Sequence, residues 1–232
     1  MNKISFKTYL NDRLKEVDFH GKPTYPLYVQ VTHERKTIFF KSYYFELFSK
    51  PRYLLEVPGV GSRGPDLQDV IEKENEVIRF IIDKHINDFS LELFKTAYAY
   101  YSKDLCDVTE RGFVTYLYTF FWDKGMPHLG DMVKYGSRNV VAYDLIRDFK
   151  RSFTKELYNE LMENAFYYGP PYLPLYGYMS EIKRWPMLCL TVMEFDNLET
   201  IFDFDKYVKR VYPFADSMEV IRQVQKWPNY QW

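Results

Sequence analysis

Leu27-Tyr28-Val29-Gln30-Val31-Thr32, followed by His33-Glu34-Arg35-Lys36 and then Thr37-Ile38-Phe39-Phe40-Lys41-Ser42-Tyr43-Tyr44, is the stretch on which the fold turns. Leu27, Val29 and Val31 alternate with Tyr28, Gln30 and Thr32. That period of two sends successive side chains to opposite faces of a strand, and the β-branched and aromatic composition suits a pleated, half-buried surface. His33–Lys36 is a short polar connection, after which Ile38 and Phe40 oppose Phe39 and Lys41, so Thr37–Tyr44 reads as a returning strand. Upstream, Ile4, Phe6, Thr8 and Leu10 alternate with Lys3, Ser5, Lys7 and Tyr9. A polar excursion from Asn11 to Lys22 separates the two regions, and three antiparallel strands are the economical reading.

Val57-Pro58-Gly59-Val60-Gly61-Ser62-Arg63-Gly64-Pro65 concentrates the strongest structure breakers and reads as a linker. Pro65 suits the first turn of a helix, and Asp66 and Asp69 complement its positive end. Leu67, Val70, Ile71, Val77, Ile78, Ile81, Ile82 and Ile86 then recur near helical spacing. Ser90 is the expected N-cap of a second helix through Leu93, Phe94, Ala97 and Tyr101. Further helices are predicted over Thr109–Trp122, Ser137–Phe149, Thr154–Tyr167 and Ser217–Lys226. Residues 168–178 read as an aromatic, proline-rich loop, and Met187–Met193 as either a buried strand or part of a helix. The expected class is α+β: a three-stranded basic β module over 1–56, a Gly/Pro linker over 57–65, and a mostly helical region over 66–232.

Hydrophobic residues make up 47% of the chain and aromatics 19%, enough apolar surface to offset chain entropy, so a folded protein is expected rather than a disordered one. No run approaches the roughly 18 apolar residues needed to cross a bilayer, and Met1–Leu10 lacks a signal-peptide core; the expected location is cytoplasmic. Cys106 and Cys189 stand far apart and read as free thiols. The net charge of -1 conceals an asymmetry: residues 1–64 hold eleven Lys and Arg against six Asp and Glu, and the remainder twenty against twenty-six. Only the first part favours a polyanion.

Several motifs fail on context. Gly59-Val60-Gly61-Ser62-Arg63-Gly64 matches the dinucleotide-binding pattern, with Asp83 near the ribose-carboxylate position, but that mechanism needs Asp83 at the end of a strand and it sits in a helical stretch. His20, His33, His85 and His128 lack zinc-ligand spacing. Glu194, Asp196, Glu199, Asp203 and Asp205, with Glu181 and Lys183, hold the residue types of a two-metal site but read as a solvated face. No catalytic residue, cofactor or metal is nominated.

The first module carries the more informative constellation. With Ile4, Phe6, Val29, Val31, Ile38 and Phe40 turned to the core, Lys7, Tyr9, Tyr28, Gln30, Thr32 and Lys41 fall on the other side and Arg35 and Lys36 in the turn. Cations for phosphates beside amides and hydroxyls for base edges are one way a sheet enters a DNA groove. The pattern by itself also fits a solvated sheet face. The run Gly21-Lys22-Pro23-Thr24-Tyr25-Pro26-Leu27-Tyr28-Val29-Gln30-Val31-Thr32, with Arg35-Lys36-Thr37-Ile38-Phe39-Phe40, resembles the arm-type DNA-binding domain of phage-integrase-like tyrosine recombinases, especially those of Bacteroidetes mobile elements. The helix at 66–87 and Asp88-Phe89-Ser90-Leu91-Glu92-Leu93-Phe94 resemble the family's linker, so the likeness covers about residues 1–100.

The resemblance implies a three-stranded sheet that enters the major groove of double-stranded DNA. The chain departs from the family in its catalytic half: Pro23, Lys36, Asp88 and Asp131 stand three residues after the four histidines, where a recombinase has arginine, and no nucleophilic tyrosine is nominated. The turn also lacks the family's glycine, and no tryptophan follows the third strand. The expectation is therefore a non-catalytic DNA-binding protein using Lys7, Arg35, Lys36 and Lys41 on phosphates and Tyr9, Tyr28, Gln30 and Thr32 near the groove, with the helical region as scaffold or protein-binding body. The alternative is a protein–protein interaction module acting through the sheet edge or the Pro/Tyr-rich loop.

Overall fold

The computed structural model describes residues 4–57 and 61–229, and the chain divides into two compact units, Met1–Lys103 and Asp104–Trp232. It is an α+β protein. In the first unit β1 (Ser5–Leu10), β4 (Leu27–His33) and β5 (Lys36–Lys41) form an antiparallel sheet in the order β1-β4-β5. The pairing places Phe6 opposite Val31, Thr8 opposite Val29 and Leu10 opposite Leu27, then Val29 opposite Phe40 and Val31 opposite Ile38. These residues share one face, and on the central strand Leu27, Val29 and Val31 are at most 1% exposed. Burying each such side chain stabilises the unit by roughly 1.5–3 kcal/mol, which fixes the register, since a slip of one residue would turn all of them to water.

Two helices cover that face. α2 (Leu67–Lys84) and α3 (Leu91–Tyr101) follow the sheet in sequence, and Ser90 caps α3 as expected, its hydroxyl accepting from the Leu93 N–H at 3.1 Å. The Thr8 hydroxyl donates to Asn75 on α2 at 2.7 Å, while Phe40 packs its ring against Phe94 and Tyr98 of α3. The expected linker at 57–65 therefore lies inside the first unit. Part of it is a hairpin, β6 (Leu55–Val57) with β7 (Gly61–Arg63), and Pro58, Gly59 and Val60 lie outside the described residues.

Three further differences have local causes. The returning strand stops at Lys41 because Ser42 caps a short helix, α1 (Tyr43–Phe48), its hydroxyl accepting from the Phe45 N–H at 3.1 Å, so Tyr43 and Tyr44 are helical. Within Asn11–Lys22 a second hairpin forms, β2 (Val17–Phe19) with β3 (Lys22–Thr24), through His20 (φ 55°) and Gly21 (φ 77°). Gly64 lies against the His20 ring; a Cβ there would come within 2.3 Å of its Nδ1. The β4–β5 turn uses Glu34 and Arg35 at φ 50° and 63°, the left-handed pair a two-residue hairpin demands, without glycine.

Under the sheet sits a buried carboxyl. Glu74 of α2 is fully buried and accepts from the Ser42 hydroxyl and, at 2.5 Å, from the Tyr98 hydroxyl, which in turn accepts from the Tyr43 N–H at 3.1 Å. One side chain thus ties the start of α1 to α2 and α3.

The second unit is helical among its described residues: α4 (Leu105–Asp123), α5 (Pro127–Gly136), α6 (Ala142–Ser152), α7 (Lys155–Tyr168), α8 (Tyr172–Ile182), α9 (Val192–Phe195), α10 (Leu198–Val211) and α11 (Ser217–Lys226). The expected Ser137–Phe149 helix starts later, as α6 at Ala142, and α5, which ends at Gly136 just before it, is a helix the sequence reading did not predict. Thr154 caps α7 as read from sequence. The expected proline-rich loop is largely α8: Tyr172, Leu173, Leu175 and Tyr178 are buried, and Pro174 occupies the first turn, where its missing N–H leaves no carbonyl unpaired. Met187–Met193 is neither a strand nor one helix; an extended run bridges Thr191 to Asp104 and then enters α9. The buried Asp104 carboxylate accepts from the N–H groups of Cys106, Asp107 and Leu190 at 3.2, 3.3 and 3.1 Å. Glu110 of α4 accepts from the Ala142 N–H at 2.8 Å and the Tyr172 hydroxyl at 3.0 Å, fastening α6 and α8 to α4.

Candidate nucleic-acid interface

The same register that buries one face of the sheet assembles the other. Its outward residues form three cross-strand rows: Ser5, Thr32 and Thr37; Lys7, Gln30 and Phe39; Tyr9, Tyr28 and Lys41. None is buried and none is acidic. Seven of the eight nominated residues are on or beside this surface: Lys7, Tyr9, Tyr28, Gln30, Thr32 and Lys41 all project from it, and Arg35 stands exposed at the tip of its hairpin. Lys36 does not join them. It pairs with His33 and shares the parity of Ile38 and Phe40, so it leaves the strand end on the helix-covered side, although it is exposed there.

Local contacts set how these groups are held. Lys7 extends over the Tyr9 ring, Nζ 5.3 Å from its centre, which keeps the ammonium on the face rather than swung off the edge. Thr32 and Thr37 join their hydroxyls across the strands at 3.0 Å. Lys41 is compromised: its Nζ lies 3.5 Å from the Glu46 carboxylate on α1. From Lys36 to Lys41 the strand runs about 17 Å at roughly 3.4 Å per residue, against a major groove about 12 Å wide. Arg35 at the tip and Lys41 at the other end can thus reach the two phosphate strands while Gln30 and Phe39 of the middle row face the groove floor and Lys7, on outer strand β1, reaches back to phosphate.

Sequence reasoning passed over Phe39. The alternation that singled out Gln30 puts Phe39 on the same side, but a phenylalanine on a polar face carries no hydrogen-bonding signal; it is 59% exposed.

No family model, no curated protein and no solved structure matches the chain. Its chemistry is read from its own residues.

Elsewhere four of the carboxylates weighed as a two-metal site are held in ion pairs. Glu181 pairs with Arg210 at 2.5 Å, Glu194 with Lys183, Asp203 with Lys206 at 3.0 Å, and Asp205 with Lys209 at 2.7 Å. Hydrogen bonds from Lys209 and Ser217 hold the Asp205 carboxyl below its ordinary range. Among the described residues no group of three or more His, Cys, Asp and Glu side chains is placed to hold a metal ion. Asp83 lies within α2, and the glycine pattern falls partly on 58–60, outside the described residues. Among the described residues no helix is long and apolar enough to cross a membrane.

Proposed function

We propose that the first unit binds double-stranded DNA through the outward face of β1, β4 and β5, without catalysis, in the manner of the integrase arm-type domain that residues 1–100 resemble. The observation that carries this reading is the sorting of charge: nine outward side chains include two lysines and no carboxylate, with Arg35 beside Glu34 at the tip and Glu46 of α1 against Lys41, in a chain whose net charge is -1. Lys7 and Arg35 contact phosphate; Lys41 does so once freed from Glu46; Tyr9, Tyr28, Gln30 and Thr32 lie toward the bases. Lys36 contributes from the rim.

A gel-shift titration over a salt series tests it. Each phosphate contact contributes roughly 0.9 to the slope of log affinity against log salt, so Lys7→Ala and Arg35→Ala should each flatten that slope by about this amount, and Lys36→Ala by less. Affinity independent of salt, or no binding at low salt, removes the proposal.

A second reading has one observation behind it. Beside edge strand β5, Phe39, Phe40, Tyr43, Lys95, Tyr98 and Ala99 help to line an open cleft of about 460 Å³, apolar enough to seat a side chain of a protein partner. Ala99→Arg would fill it; loss of a protein partner with an unchanged salt slope would favour this reading.

A further inference from the structure

Gln30 and Phe39 are register partners at the centre of the outward face, one on the middle strand and one on the edge. Their chemistry is unlike that of the residues around them. Phe39 presents an apolar ring to solvent at 59% exposure, on a face otherwise made of hydroxyls, amides and ammonium groups. The Gln30 amide, two donors and an acceptor in one plane, has no hydrogen-bond partner among the described residues.

The major groove offers a matching pair of targets. Adenine shows its N7 acceptor and N6 donor side by side, which a carboxamide meets with two bonds, and thymine shows a C5 methyl, the one apolar point on the groove floor. Neighbouring strands are about 4.8 Å apart and successive base pairs about 3.4 Å, so adjacent strands address adjacent pairs. Guanine and cytosine give a carboxamide no comparable two-point match and give a phenyl ring nothing to pack on.

Resting on the duplex-DNA reading above, we infer that the middle row selects A·T pairs in the major groove, Gln30 hydrogen-bonding an adenine and Phe39 packing on the thymine methyl of the neighbouring pair.

The test changes the DNA as well as the protein. Affinity of the full chain is measured by fluorescence anisotropy on a duplex of about 20 alternating dA·dT pairs, on the same duplex with deoxyuridine replacing thymidine, and on one with 7-deazaadenine replacing adenine. Deoxyuridine removes only the methyl, and the parent should weaken about fourfold, the worth of one buried methyl. Removing N7 breaks the two-point match and should weaken it at least about fivefold. Phe39→Ala should be indifferent to the first change and Gln30→Ala to the second, which isolates each contact. Because Phe39 is exposed and the decisive comparison uses the parent protein, the outcome does not hang on how a variant folds. Equal parent affinity for all three duplexes, with binding still weakened by salt, overturns the A·T inference and leaves DNA binding standing, as do differences that persist in both variants. No binding to any duplex at low salt, or tighter binding to single-stranded oligo-dT of the same length, overturns both.

Discussion

Burial lifts the Glu74 carboxyl from 4.5 to about 7, against the lowering influence of hydrogen bonds from Ser42, Tyr98 and the Tyr44 backbone. Its proton is therefore held more tightly in the folded chain than in the unfolded one. The stability tied to that proton is fully present below about pH 4.5 and is lost as pH rises through about 7. A difference of this size corresponds to about 3 kcal/mol. Urea unfolding of the parent and of Glu74→Gln across that range should show the parent losing stability relative to the variant; parallel profiles would mean that the carboxyl titrates alike in both states. Nothing local in the sequence marks Glu74. It stands in the α2 pattern as one more charged residue between apolar ones, and only the approach of Ser42 and Tyr98, distant in the chain, makes it a buried acid. Gln30 and Lys7, by contrast, were legible from alternation alone, because a strand's parity decides which way a side chain points whatever packs behind it.

At the level of elements, the β4–β5 hairpin holds two non-glycine residues in left-handed backbone, which costs on the order of 1–3 kcal/mol at each. Arg35→Gly should raise stability by about 1 kcal/mol, after allowance for the freer unfolded chain, while flattening the salt slope of DNA binding by roughly 0.9. A thermal melt beside the gel-shift series reads both; a gain in stability with an unchanged slope would take Arg35 out of the interface. The other end of the strand behaves oppositely. Glu46→Gln leaves Lys41 without its 3.5 Å partner, so affinity should rise and the slope steepen by up to about 0.9 in the same titration. Periodicity made these strands readable, and the Ser90 and Thr154 caps made two helix starts readable. α8 was hidden because Pro170, Pro171 and Pro174 signal a loop by composition, whereas all three precede or open the helix, where proline is tolerated. α1 was hidden because Tyr43-Tyr44-Phe45 continues the aromatic character of β5, and the boundary is a single capping serine.

For the whole molecule, the division at Lys103 and Asp104 joins α2 and α3 to the sheet, a partition that composition could not reveal, since Gly and Pro at 57–65 mark a hairpin as readily as a domain boundary. The second unit begins on Asp104, whose carboxylate satisfies three backbone N–H groups. Asp104→Ala strands those donors, and urea unfolding should register a loss of about 3 kcal/mol or more. At temperatures where the variant stays folded, its DNA salt slope should match the parent's, because the residues proposed to contact phosphate belong to the first unit. The outward sheet face has a consequence at the bench as well. A chain of net charge -1 should pass through a sulfonate or heparin column at neutral pH, yet a local face that carries Lys7 and Lys41 among its nine outward residues and no carboxylate of its own can adhere to a polyanionic matrix whatever the sum over the rest. Retention on heparin, eluting earlier once Lys7 is alanine, is the behaviour expected during purification.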